Sequence, residues 1–292
     1  MKIAFIGGGN MASALIGGLI ANGTRPAAIR VVEPVLAARR RVAAKYKVRA
    51  SAAPDARVLA AETIVLAVKP QDMRTAVAPL AGKLAGKLVI SVAAGIRLKD
   101  LSRWLGGHAK LIRCMPNTPA LIGAGIAALY APSGASAADR RRAERILGAV
   151  GKVVWVKDER LLDPVTAVSA SGPAYVFWFI EQLAKSAVGL GITPEVAAKL
   201  ALETVLGSAQ LAARSKEPPG VLRERVTSKG GTTAAALAVF EQAQLAEHFR
   251  RAIEAASFAA PSTVSKASLA DAAGSRPRAT PDAASCSMNQ NT

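Results

Sequence analysis

Two glycine-bearing segments of this chain have the residue types and spacing to hold an anion on backbone N–H groups. The first is Gly7-Gly8-Gly9-Asn10-Met11-Ala12. It fits G-x-G-x-x-A: Gly7 permits a tight turn, Gly9 lets backbone approach a pyrophosphate, and Ala12 lets helix pack closely on strand. The segment follows a short apolar run and opens a helical stretch, the context in which the motif reads as a dinucleotide site rather than a mere turn. A pyrophosphate would sit at the helix N-terminus, where unpaired N–H groups and the positive dipole end face it. The second segment is Ser228-Lys229-Gly230-Gly231-Thr232-Thr233. Two glycines ahead of a helix expose N–H groups at its positive end. An ordinary helix start, with Ser and Thr as caps, fits the same residues.

Other chemistry-bearing residues are sparse. Glu33 lies 21 residues after Ala12, where a carboxylate accepts from a ribose 2′-OH and favours NADH. Arg39, Arg40 and Arg41 follow it and are close enough to reach a 2′-phosphate, so these residues leave NADH and NADPH open. Glu33 also reads as a strand-end turn residue before Pro34. His108 and His248, the only histidines, read as surface residues, and Cys114 as a buried apolar one. No His/Cys cluster has metal-ligand spacing, so no metal site is expected.

The elements that position these residues change character along the chain. Apolar runs at 2–6, 29–33, 63–68, 87–92 and 110–114 alternate with helical stretches such as 10–22 and 35–45. That alternation predicts an α/β Rossmann domain over residues 1–160, with a mostly parallel sheet and helices on both faces. Segments 123–130 and 152–156 add edge strands around a helix at 136–149. Residues 161–258 read instead as successive helices, broken at Gly172-Pro173, 191–194, Pro218-Pro219-Gly220 and Gly230-Gly231. The stretch 174–188 is apolar nearly all round, so it must be buried, a second subunit being one place for it. Residues 259–292, rich in Ala, Ser, Thr and Pro, read as a disordered tail.

Composition narrows the class. A length of 292 residues fits about two domains. Two cysteines exclude a disulfide-stapled fold. No uncharged apolar run is long enough to span a membrane, and the opening MKIAFIGGGN does not read as a signal peptide. A cytoplasmic protein is expected. The net charge of +18 raises nucleic acid as a partner, but residues 1–160 hold 26 Lys and Arg against 9 Asp and Glu, scattered and without aromatic neighbours to stack bases. Neither nucleic acid nor membrane is expected as a partner.

Six segments together resemble the pyrroline-5-carboxylate reductase family. They are the glycine loop, Ala67-Val68-Lys69-Pro70-Gln71, Val92-Ala93-Ala94-Gly95, Arg113-Cys114-Met115-Pro116-Asn117-Thr118-Pro119, Ala170-Ser171-Gly172-Pro173-Ala174-Tyr175-Val176, and residues 222–233. The resemblance implies a Rossmann domain followed by a helical dimerisation domain, with dimers that in many members assemble further into decamers. It implies reduction of 1-pyrroline-5-carboxylate to L-proline by NAD(P)H, NADPH being favoured.

Site residues carry over from it as well. Gly7, Gly8, Gly9, Asn10, Met11, Ala12, Glu33, Ala67, Val68, Lys69, Pro70, Ala93, Ala94, Gly95 and Asn117 would face the cofactor. Ser228, Gly230, Gly231, Thr232 and Thr233 would face the substrate. N–H groups of Gly231, Thr232 and Thr233 would hold its carboxylate, and the Thr233 hydroxyl, named as catalytic, would meet the ring nitrogen. Glu159 aligns with a cofactor-side position in some members. Three departures stand out: Lys229 replaces a usual Pro, Pro54 stands where many members have Asn near the ribose, and the last helix leads into a disordered-looking tail where members usually continue with charged residues.

Two other readings draw on parts of the sequence. A β-hydroxyacid dehydrogenase needs a proton donor on the central helix, and Lys185 lies about three turns in, too far along. A non-catalytic dinucleotide sensor or nucleic-acid binder is supported only by the basic N-terminal half.

Overall fold

A computed structural model describes residues 1–259. The expected tail at 259–292 lies, beyond Ala259, outside the described residues. Eight strands form one sheet in the order β3-β2-β1-β4-β5-β6-β7-β8. They are β1 (Ile3–Ile6), β2 (Ile29–Val32), β3 (Arg49–Ser51), β4 (Thr63–Leu66), β5 (Leu88–Ser91), β6 (Leu111–Met115), β7 (Gly125–Tyr130) and β8 (Gly151–Trp155). All neighbours pair in parallel except β6 with β7. The order reverses between β1 and β4, and at such a switch the loops leaving the C-terminal strand ends part to form a ligand crevice.

Strands β1, β4 and β5 are buried at every residue, as strands covered on both faces must be. One apolar layer joins Ile3, Phe5, Val31 and Val65 to α1 (Asn10–Ala21), α2 (Leu36–Tyr46) and α6 (Ala137–Leu147). The opposite layer joins Ala4, Ile6, Ile64 and Leu66 to α3 (Ala56–Leu59), α4 (Met73–Val77) and α5 (Leu98–Trp104).

After β8 the chain is helical. Short α7 (Leu162–Val165) runs into a single π-helical turn at Thr166–Ala170. Then come α8 (Gly172–Gly189), α9 (Pro194–Arg214), α10 (Pro219–Arg225), α11 (Thr232–Gln242) and α12 (Leu245–Ala259). The predicted breaks fall at Gly and Pro, and one more, between α11 and α12, turns on Gln244 at φ +51° and carries no Gly or Pro signal. The burial expected of 174–188 differs within one chain: Phe177 is 66% exposed and Trp178 58%. The reason is that α8 packs against α9 along one side only. By length and mean hydropathy α9 is apolar enough to cross a membrane, yet it is not the uncharged run that the sequence lacks. It carries Glu195, Lys199 and Glu203, and Ala197 and Ala201 are buried inside the chain.

Candidate active site

The glycine loop leaves β1 at the crevice. Gly7 has φ +101°, and a Cβ there would lie 2.5 Å from the Ala67 carbonyl oxygen after β4. Only glycine lets the ends of β1 and β4 approach this closely. Gly9, by contrast, has an ordinary φ of −72° and faces open space. Ala12 is fully buried, seating α1 on the sheet. The first turn of α1 leaves its N–H groups to an outside acceptor. No side chain caps it, so an anion has both room and donors, and the residues present fit a dinucleotide pyrophosphate.

Glu33 is built into this loop. Its two carboxylate oxygens accept from Gly8 N–H at 2.8 Å and Val35 N–H at 3.0 Å. The residue therefore shapes the turn, as its reading as a strand-end turn residue allows, and its hold on Gly8 is a contact that spacing alone did not reveal. Arg39 donates to the carbonyls of Glu33 and Pro34, at 2.8 and 2.9 Å. That leaves Arg40 and Arg41 as the exposed cations of the trio. Pro54 is half-buried beside Asp55, which caps α3.

The neighbouring loops line the same edge in strand order. Ala67, Val68 and Pro70 are half-buried after β4, and Lys69 is exposed. Ala93 is buried after β5, with its N–H on Ser91 Oγ, and Ala94 and Gly95 are half-buried. Asn117 follows β6, but its amide is engaged. It donates to the Ser169 carbonyl at 3.2 Å and accepts from Ile126 N–H at 2.9 Å. In this structure Asn117 ties the sheet to the π-helical turn.

The second anion segment is a tight turn. Gly231 N–H donates to the Ser228 carbonyl at 3.1 Å, and Gly230 has φ +73°. Both are type II features, with Lys229 at the corner that favours Pro. This alters the expectation of three N–H donors: the Gly231 N–H closes the turn. Those of Thr232 and Thr233, in the first turn of α11, remain for an outside acceptor. Thr233 is half-buried; Ser228, Lys229, Gly230 and Thr232 are exposed. Among the described residues no hydrogen bond or ion pair joins residues 222–233 to residues 1–160.

Sequence reasoning missed one constellation. Arg113, in β6, is 1% exposed and pairs with Glu159 at 3.2 Å and Asp163 at 3.5 Å. Arg97 pairs with the other Asp163 oxygen, and Leu98 N–H donates to Glu159 at 2.8 Å. The signal was a lone Arg inside an apolar run. Glu159 is thus held by the network rather than left free beside the cofactor crevice. Of the other groups considered, Cys114 is buried, and burial pushes its thiol far up from the ordinary range. His108 meets the Lys87 carbonyl and His248 is exposed on α12. Among the described residues no group of three or more His, Cys, Asp and Glu is placed to hold a metal.

Comparison with known proteins places this geometry in a family. Residues 159–261 match the model described as pyrroline-5-carboxylate reductase dimerisation. A pyrroline-5-carboxylate reductase from Pseudomonas aeruginosa is 43% identical over 257 residues, covering 88% of this chain and 94% of that protein. The chain belongs to the pyrroline-5-carboxylate reductase family. Residues 2–95 also match the model described as NADP oxidoreductase, coenzyme F420-dependent. The family's solved structure from Coxiella burnetii has a TM-score of 0.84 and 39% identity, covering 89% of this chain and 97% of that one. One from Plasmodium falciparum, solved with NADP bound, has a TM-score of 0.80 and 28% identity, covering 90% and 98%. The Rossmann sheet and helical half are the architecture of this family, and its dimerisation model covers the helices whose apolar faces stand open here.

Proposed function

We propose that this chain reduces 1-pyrroline-5-carboxylate to L-proline with NADPH or NADH, as a cytoplasmic homodimer formed through the helical domain. The observation that carries this reading is the pair of open helix N-termini, α1 at the crevice and α11 behind its turn, in a chain so similar to reductases of that name. The domains are 1–160 for the dinucleotide and 161–258 for dimerisation and substrate. Further assembly into decamers belongs to the same reading.

A bound nicotinamide supplies the hydride that reduces the imine carbon. The chain does the positioning, which provides much of the rate for so small a substrate. The α1 N-terminus and the loops after β4 and β5 fix the dinucleotide. The N–H groups of Thr232 and Thr233 hold the carboxylate, with Ser228 and Gly230 setting the turn. The Thr233 hydroxyl hydrogen-bonds the ring nitrogen and orients the imine. A neutral hydroxyl is a poor acid at pH 7, so the nitrogen takes its proton from water or binds already protonated. Among the described residues no hydrogen bond or ion pair joins the 228–233 turn to the crevice of its own chain, and in this reading the turn from one copy completes the crevice of the other.

Purified protein should oxidise NADPH or NADH only when pyrroline-5-carboxylate is present. Dinucleotide binding without turnover would overturn the reading. Thr233→Ala should lower turnover about 10- to 100-fold, the scale of one positioning contact, with cofactor affinity little changed. Equal loss of both would remove Thr233 from the substrate site.

A further inference from the structure

The network around Arg113 is hard to explain as a source of stability. A buried guanidinium and two carboxylates lose their hydration, and apolar side chains of similar volume in such places are often neutral or stabilising. What the network does have is reach. It joins three segments distant in sequence: residues 97–98, directly after the Val92–Gly95 loop; β6, which leads to Asn117; and residues 159–163, the first turns of the helical half. One Glu159 oxygen takes both Leu98 N–H and Arg113 Nη1. Asp163 takes Arg97 on one oxygen and Arg113 on the other. The two cations and two anions balance, and Arg113 is the member that touches both acids. Asn117, on Ser169 O, makes a second tie to the same helical turns.

We propose that Arg113 is a positioning residue. Through Glu159 and Asp163 it fixes the loop after β5 against the first helical turns, and so sets the distance and angle between the dinucleotide edge and the substrate. The proposal rests on the reductase reading. It concerns geometry rather than affinity, because Arg113 itself lies beneath the loop. Lysine at this position would keep the charge but lose the fork that faces two carboxylates at once, Nη1 bonded to Glu159 and Nη2 3.5 Å from Asp163.

The test is the charge-balanced pair Arg113→Met with Glu159→Gln, which leaves the Arg97–Asp163 pair in place. Arg113→Lys serves as a second, milder variant in case the pair fails to fold. Readouts are melting temperature, dinucleotide Kd, kcat, the isotope effect with 4-deuterated NADPH, and amide hydrogen exchange of residues 92–98. The expected result is a folded protein with Kd within about threefold of the parent. Its kcat should fall about 100-fold, the cost of an ångström-scale misplacement. The isotope effect on kcat should rise and exchange at 92–98 should quicken. Arg113→Lys should show the same split at smaller size. Parental kcat in the folded variant, or loss of Kd in step with kcat, would overturn the proposal. A parent protein that does not turn over pyrroline-5-carboxylate would overturn the reductase reading, and this inference with it.

Discussion

In the sheet domain the large apolar side chains are covered by the chain's own elements: Phe5, Leu15, Ile64 and Leu80 are all 1% exposed or less. In the helical half the same residue types stand open, with Val176, Phe177, Trp178 and Phe179 in a row on α8 and Leu200, Leu206 and Leu211 on α9. Burying such side chains is worth about 1.5–3 kcal/mol each, so a face of this size does not stay in water. The contrast teaches where each half gets its core: the sheet domain from its own crossings, the helical half from a second copy. It also separates the chemistry. In the proposed function the dinucleotide site needs one chain, whereas the turn before α11 would meet a crevice across the dimer.

The largest effect should come from breaking the open face. Trp178→Glu would place an unpaired carboxylate in the interface, at a cost of several kcal/mol, and so weaken association about 1,000-fold. Sedimentation equilibrium should show a monomer that has lost turnover yet still binds dinucleotide. A dimer of unchanged strength would break the comparison.

Next is the glycine loop, where two neighbouring glycines should fail differently. Gly9→Asp fits the open space and suits a helix cap, so melting should hold. Its charge, at the uncapped N-terminus of α1 proposed to hold the pyrophosphate, should weaken dinucleotide binding about 100-fold. Gly7→Ala forces a strained φ against the Ala67 carbonyl and should lower stability by about 1–3 kcal/mol. Calorimetry and dinucleotide titration together distinguish the two.

The smallest effect is at the turn. Lys229→Pro suits the corner of a type II turn and should stabilise the protein by about 0.4–1 kcal/mol by restricting the unfolded chain, read as a small rise in melting temperature. Destabilisation would show that Lys229 needs a backbone the ring cannot adopt.

The parts legible in sequence are those with local signals. The buried strands announce themselves as apolar runs, the glycine loop by its spacing, and the helix breaks by Gly and Pro, except the one at Gln244. β3 (Arg49–Ser51) was missed because an edge strand of Arg-Ala-Ser pairs only with β2 and has no apolar run to betray it. The roles of Glu33 and Asn117 were only half visible, because their partners are backbone groups brought up by folding. Arg113 read as one residue of a strand, since its partners lie some fifty residues away. At 174–188 the pattern said buried without saying by what, because an intermolecular core looks like any other core in sequence.

The most direct test of the split site is to mix two strongly impaired variants, Gly9→Asp and Thr233→Ala, after unfolding and refolding them together, and to assay at a dinucleotide concentration that does not saturate Gly9→Asp. In a twofold dimer whose sites draw on both copies, a mixed pair holds one site with both lesions and one with neither. Random pairing then returns roughly a quarter of parental activity. Turnover near that level is the predicted result. No recovery, with mixed dimers shown to form, would mean that each site lies within one chain and would contradict the account.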